Sequence, residues 1–198
     1  FLIFINDLKP STVADTTRLT LFADDTTLLV RSPHLATLAT TVNNELAHLS
    51  SWFKANRMSV NANKTHYIRF SLKRQYLSLP VPIIFDNQEL NCIPSTKFLG
   101  VVIDESLTWK NHVSYIASKI CKSIGIIHKV RRLLTKETRI QLYNSLILPY
   151  LHYCLLIWGN AAITTLDRLF KLQKRAVDTV TCYDFKTRTQ PPFTECNS

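Results

Sequence analysis

The chain has 198 residues, 46% hydrophobic and 19% charged, which is enough apolar surface for a sizeable core and too much for wholesale disorder. Its net charge of +10 points to an acidic partner, nucleic acid before a membrane surface. Cys92, Cys121, Cys154, Cys182 and Cys196 form no C-x-x-C pair, which argues against a zinc ribbon, a redox motif or a disulfide scaffold, and favours reduced thiols in an intracellular setting.

The chain opens on an apolar run, "FLIFINDL" at 1–8, which reads as the end of a buried helix. It begins with Phe1 and has Met58 as its one methionine, so a piece of a longer reading frame is expected. Two short β-favouring runs, 18–23 and 26–30, flank Asp24 and Asp25, predicting a hairpin with both aspartates at the turn. Ser32 and Pro33 suit a helix start, and Leu35, Leu38, Val42, Leu46, Leu49 and Phe53 recur at helical spacing, predicting a helix from about Pro33 to about Asn56. Asn56 suits the C-cap of that helix, and Trp52 reads as a core anchor. "HYIRFS" at 66–71 alternates like a strand. Ile83-Ile84-Phe85 and Glu89-Leu90 flank Asp86-Asn87, which reads as a second hairpin turn. "KFLGVVID" at 97–104 reads as one strand with Gly100 inside it, at a bulge or a close backbone approach.

After about Glu105 the period changes from two to 3.6. One helical stripe is Trp109, Val113, Ile116, Ile120, Ile124 and Ile127, with Trp109 as a core anchor. A second is Ile140, Tyr143, Leu146 and Ile147, interrupted near Pro149 and resumed toward Trp158. Its polar interruptions make residues 140–158 a buried helical stretch rather than a membrane span. A third is Leu166, Leu169, Phe170, Gln173, Val177 and Val180. The tail from Phe185 has little pattern. The expected organisation is therefore α+β, with an αβ part at 1–104, a helical part at 105–185 and a loose tail at 186–198. Charge follows this division: residues 1–104 are net +2 and residues 105–198 net +8.

A strand–Asp-Asp–strand hairpin presents hard oxygen ligands at the edge of a rigid element, as magnesium requires. Two such ions about 3.5–4 Å apart can clamp the attacking and leaving oxygens of a phosphoryl transfer. An isolated Asp-Asp pair is more often a solvated turn, so the surrounding blocks decide. "RLTLFADD", "WFKANRMSVNANKTHYIRF", "KFLGVVIDESLTWKNHV", "LYNSLILPYLHYCLLIWG" and "LDRLFKLQKRAV" occur in that order. Together they resemble the reverse transcriptases of non-LTR (LINE-type, jockey-like) retrotransposons, over nearly all of 1–180.

The resemblance implies the C-terminal half of a polymerase palm over 1–104, with a catalytic hairpin, a helix and further strands, followed by a helical thumb. It makes Asp24 a metal ligand and Asp25 its partner, with Phe22 and Ala23 at the floor of the cleft. It places Lys64 near the triphosphate, where a surface lysine is the equal alternative, and lets Gly100 approach the primer. It implies Mg2+ or Mn2+, two ions in a complete enzyme, with an RNA template, a DNA primer, deoxynucleoside triphosphates and the rest of a parent polyprotein as partners. A setting in the nucleus or the cytoplasm fits, and no membrane is implied.

Basic residues form two sets. Arg168, Lys171 and Arg175 share one face of the last helix with Lys174 beside it, while Lys129, Arg131, Arg132 and Lys136 gather at a junction between helices. Both suit phosphate contacts, and a solvated helix face is the plain alternative for each residue. His34, His48, His66, His112, His128 and His152 show no metal-ligand spacing and read as structural or surface. Two-metal chemistry needs a further carboxylate, and neither Asp7 nor Asp15 is placed to supply it. The reading is a reverse transcriptase fragment, inactive alone. The alternatives are a catalytically inactive nucleic-acid-binding relic and a helical module that binds a protein.

Overall fold

The computed structural model describes residues 5, 7–10, 16–71 and 79–181. The chain is mixed α+β and divides into two compact units, 1–94 and 95–198. Most of the opening run at 1–8, the position of Asp15 and the whole tail from Phe185 lie outside the described residues.

In the first unit, β1 (Thr17–Phe22) and β2 (Asp25–Val30) form an antiparallel hairpin. The pleat divides its side chains between two faces. Thr17, Leu19 and Leu21 face Val30, Leu28 and Thr26 on one side, and Leu19, Leu21 and Leu28 pack on the unit's core. On the other side Arg18, Thr20 and Phe22 pair with Leu29, Thr27 and Asp25. Phe22 and Leu29 are exposed there.

Helix α1 spans Leu35–Ala55 and buries Ala39, Leu46 and Leu49 against Ile83, Phe85 and Leu90. It starts two positions later than Ser32-Pro33 suggests. The Ser32 hydroxyl accepts from the backbone N–H of His34, so the serine closes a local turn and His34 becomes the N-cap without a side-chain bond. The C-terminus matches expectation. Asn56 is the C-cap, and its amide donates to the Trp52 carbonyl. Arg57 N–H bonds to Lys54 and Met58 N–H to Phe53, a Schellman arrangement with Arg57 at a φ of 55° where glycine is usual.

Strand β3 is His66–Tyr67 alone, parallel to β6 (Asn91–Cys92), so the expected strand over 66–71 is cut to its first two residues. Between them, β4 (Ile84–Phe85) and β5 (Gln88–Glu89) make the second hairpin. Its turn residues Asp86 and Asn87 both have positive φ, as a type I′ turn requires. Asn43 of α1 clamps this hairpin: its amide donates to the Pro82 carbonyl and its oxygen accepts from Ile84 N–H, each at 2.9 Å. Lys54 forms an ion pair with Asp86.

The second unit begins earlier than the expected change at Glu105, because the run 97–104 is a hairpin and not one strand. Strands β7 (Ser95–Phe98) and β8 (Val101–Asp104) turn at Leu99-Gly100, with φ of 44° and 87°. Val101 and Ile103 join the helical core. Gly100 therefore serves a type I′ turn, not a bulge. The close approach is real, but it is to a side chain: a Cβ on Gly100 would lie 3.1 Å from the Tyr153 ring, whose hydroxyl donates to the Leu99 carbonyl at 2.6 Å.

Five helices follow among the described residues: α2 (Lys110–Val130), α3 (Lys136–Leu146), α4 (Leu148–His152), α5 (Leu155–Trp158) and α6 (Ile163–Thr181). The α2 stripe is buried as the spacing predicts, from Trp109 through Ile127. The stretch 140–158 breaks into three pieces, with Pro149 in the first turn of α4 and Cys154 at positive φ before α5. Among the described residues no helix is long and apolar enough to cross a membrane. In α6, Leu169, Val177 and Val180 are buried with Ala176, whereas Phe170, expected in the stripe, is 56% exposed.

The start of α2 is fixed by Asp104. Its buried carboxylate accepts from the backbone N–H groups of Ser106, Thr108 and Trp109 and from the Thr108 hydroxyl. These bonds hold Leu107 and Trp109 at φ of 50° and 62°, conformations that cost an L-residue about 1–2 kcal/mol each.

Candidate functional site

The hairpin turn is two residues long, Ala23 and Asp24, with Ala23 at a φ of 52°. Asp25 is the first residue of β2 and pairs with Phe22. The aspartates are thus one step apart: Asp24 caps the turn and Asp25 stands on the outer face with Phe22, Thr20 and Thr27. Both are exposed, and neither carboxylate makes a hydrogen bond or ion pair with another described residue. One end of a rigid ribbon, packed on its inner face, presents two adjacent carboxylates. That is the hard-oxygen donor chemistry a divalent cation takes, in part. Among the described residues no group of three or more His, Cys, Asp or Glu side chains gathers, so the pair offers part of a coordination shell.

Lys64 ends a 3-10 turn, Ala62–Lys64, and is exposed. The Asn61 carbonyl accepts both Lys64 N–H and the Thr65 hydroxyl, so Asn61 shapes this turn through its backbone. Among the described residues no hydrogen bond or ion pair joins Lys64 to Asp24 or Asp25.

In the second unit the basic sets meet in a way that sequence spacing does not reveal. Arg168 donates to the Ser114 hydroxyl at 3.4 Å, and further along both helices Arg175 stands by Cys121 and Ile124. Helices α2 and α6 therefore run parallel. Lys129 of one set and Arg175 of the other line a single cavity of about 290 Å³ with Cys121, Ile124, Gly125, His128 and Thr179. Lys171 is paired with Asp167 one turn back, at 2.6 Å. Lys174 is exposed beside it. Arg131 and Arg132 lie in the turn between α2 and α3, as expected, with Arg131 half-buried.

The histidine that matters to the fold is His112. It is 2% exposed, with its Nδ1 accepting from Val102 N–H at 3.2 Å and its ring against Trp158. Its proton then sits on Nε2, which has no hydrogen-bond partner. Burial holds its pKa below the usual histidine value. A polar residue inside an apolar stripe one turn from Trp109 was the available signal.

No protein-family model matches the chain, and no solved structure does. Curated relatives do match. The chain is 25% identical over 164 residues to the probable RNA-directed DNA polymerase from transposon X-element of Drosophila melanogaster, covering 81% of this chain. It is 28% identical over 166 residues to the probable RNA-directed DNA polymerase from transposon BS of the same fly, and 23% identical over 173 residues to the RNA-directed DNA polymerase from mobile element jockey of Drosophila funebris. In each case the chain spans 18% of the length of the curated relative.

Proposed function

We propose that this chain, a relative of the RNA-directed DNA polymerases of non-LTR retrotransposons, supplies the metal-bearing hairpin of such a polymerase and the helical surface that follows the growing duplex. The observation that carries the reading is the exposed Ala23-Asp24-Asp25 end of a hairpin whose other face is packed, within a segment that matches those polymerases over four-fifths of this chain. Residues 1–104 are assigned to the palm and 105–185 to the thumb.

Asp24 and Asp25 would hold divalent cations, Mg2+ or Mn2+, together with a carboxylate from elsewhere in the full polymerase. When bound, the ions lower the pKa of a primer hydroxyl and neutralise charge on the transferred phosphate. The chain's own part is positional. The packed inner face of the hairpin fixes the turn, and the left-handed Ala23 aims Asp24 out of the sheet end. Phe22 and Thr20 give an uncharged surface beside it. Lys64 is assigned to the leaving pyrophosphate, where a cation offsets developing charge. The substrates are an RNA template, a DNA primer and deoxynucleoside triphosphates, in an intracellular setting.

The lack of a third clustered carboxylate among the described residues favours a second reading for the chain by itself, binding without catalysis. Primer extension on an RNA template separates the two. The 198-residue chain is expected to give no extension and to bind a hybrid duplex. Magnesium-dependent extension by the purified chain, abolished by Asp24→Ala, would overturn the second reading and leave the first.

A further inference from the structure

We infer that the cavity between α2 and α6 is a seat for a phosphodiester group, gripped from two sides by Lys129 and Arg175 and made accessible by Gly125. This rests on the nucleic-acid reading above and deepens it to one site. A nearly flat, solvated helix face would leave each basic residue to act alone. Here the parallel packing of α2 and α6 brings together cations from opposite walls of one recess. Its volume of about 290 Å³ is ample for a phosphate and its flanking sugar, and His128 also lines it.

The recess exists because α2 presents small side chains to it. Cys121 and Gly125 lie one turn apart in its lining, and neither carries a bulky side chain. Gly125 is the informative one. It sits in the interior of a 21-residue helix, where glycine costs about 1 kcal/mol relative to alanine. Its φ is ordinary, and a Cβ there would meet nothing within 4 Å, so neither backbone geometry nor packing calls for glycine. With glycine there, α2 presents no side chain at that point of the recess lining. Arg168, about 10 Å back along α6, reaches across the same groove to Ser114 and continues the cationic wall. A backbone strand lying along the groove meets Arg168 first and the Lys129–Arg175 recess next. Lys171, already paired with Asp167, contributes less.

The test uses the full chain, a short RNA–DNA hybrid and alkylation of Cys121 by iodoacetamide. Cys121 and Cys92 are both exposed free thiols, one in the recess and one in the other unit, so Cys92 is the internal reference. Bound hybrid is expected to shield Cys121 and leave Cys92 reactive. Gly125→Leu fills the recess without touching a charge. It is expected to weaken hybrid binding about ten-fold, the loss of one charge-assisted contact, while the melting temperature is unchanged or raised. Arg175→Ala is expected to lose a similar factor.

Each contrary outcome is distinct. Hybrid binding that is salt-sensitive but indifferent to Gly125→Leu, with Cys121 unshielded, overturns the recess and leaves the nucleic-acid reading standing. Absence of salt-sensitive hybrid binding by the unsubstituted chain overturns both. Shielding of Cys121 by inorganic phosphate but not by hybrid would assign the recess to a small free anion and overturn the proposal.

Discussion

Replacing Asp104 by alanine tests how the helical unit is held in register. The carboxylate accepts four hydrogen bonds, and one of them comes from the buried N–H of Trp109. Losing a charge-assisted bond to a buried donor costs about 2 kcal/mol. The bonds to exposed Ser106 and Thr108 can be replaced by water, and together they add about 1 kcal/mol. The loss of about 3 kcal/mol is a large share of the stability of a domain this size. With a urea slope near 2 kcal/mol/M, the unfolding midpoint should fall by about 1.5 M. Trp109 and Trp158 both lie in this unit's core and Trp52 in the other unit, so tryptophan fluorescence in a Trp52→Phe background reports its unfolding. Asp104→Asn keeps one acceptor and should lose less. A midpoint shift below about 0.3 M for Asp104→Ala would refute the idea that this carboxylate fixes the start of α2.

Gly100→Ala should destabilise the same unit by about 1–2 kcal/mol, because its φ is +87° and the new methyl would meet Tyr153; an unchanged urea midpoint would count against the turn. His112 should make stability depend on pH. Its folded pKa lies below the unfolded value near 6.5, so the unfolded chain takes up a proton first and stability falls as pH drops below about 6.5, by at most about 1.4 kcal/mol per pH unit. Urea midpoints measured from pH 7.5 to 5.5 should show this slope in the parent chain and not in His112→Phe. Removing Arg168, Lys171 and Arg175 together should flatten the salt dependence of duplex affinity by roughly 0.9 log units per lost contact, closer to two contacts than three because Lys171 is already paired with Asp167. An unchanged slope in a salt titration would mean that this face is only solvated.

The elements that periodicity could announce are those whose burial is set locally. The α2 stripe and the Asp86-Asn87 turn follow from spacing and from residues that accept left-handed backbone. The hairpin at Asp24 is legible too, to within one residue: nothing in "FADD" says that Ala23 rather than Asp25 takes the turn. Where tertiary contacts decide, sequence alone misleads. "KFLGVVID" reads as one strand because its apolar residues are continuous, yet Tyr153, more than 50 positions on, holds Leu99-Gly100 as a turn. "HYIRFS" alternates well but pairs with only Asn91 and Cys92. Glu45 and His112 are buried polar residues inside apolar stripes, visible only once their neighbours are known. The same holds at the candidate interface. Lys129 and Arg175 belong to separate clusters along the chain and meet only through the parallel packing of α2 and α6.

The proposed role of Asp24 is to hold a divalent cation at the end of the β1–β2 hairpin of a longer polymerase. It is tested most directly by primer extension with a polymerase of the relatives' length in which this chain occupies its matched segment. The parent chimera should extend a DNA primer on an RNA template in Mg2+. Asp24→Asn should lower the rate at least about 100-fold, because a metal-held stabilisation of several kcal/mol is removed, while hybrid affinity stays the same. An Asp24→Asn chimera that extends primers at the parent rate would show that Asp24 holds no catalytic cation.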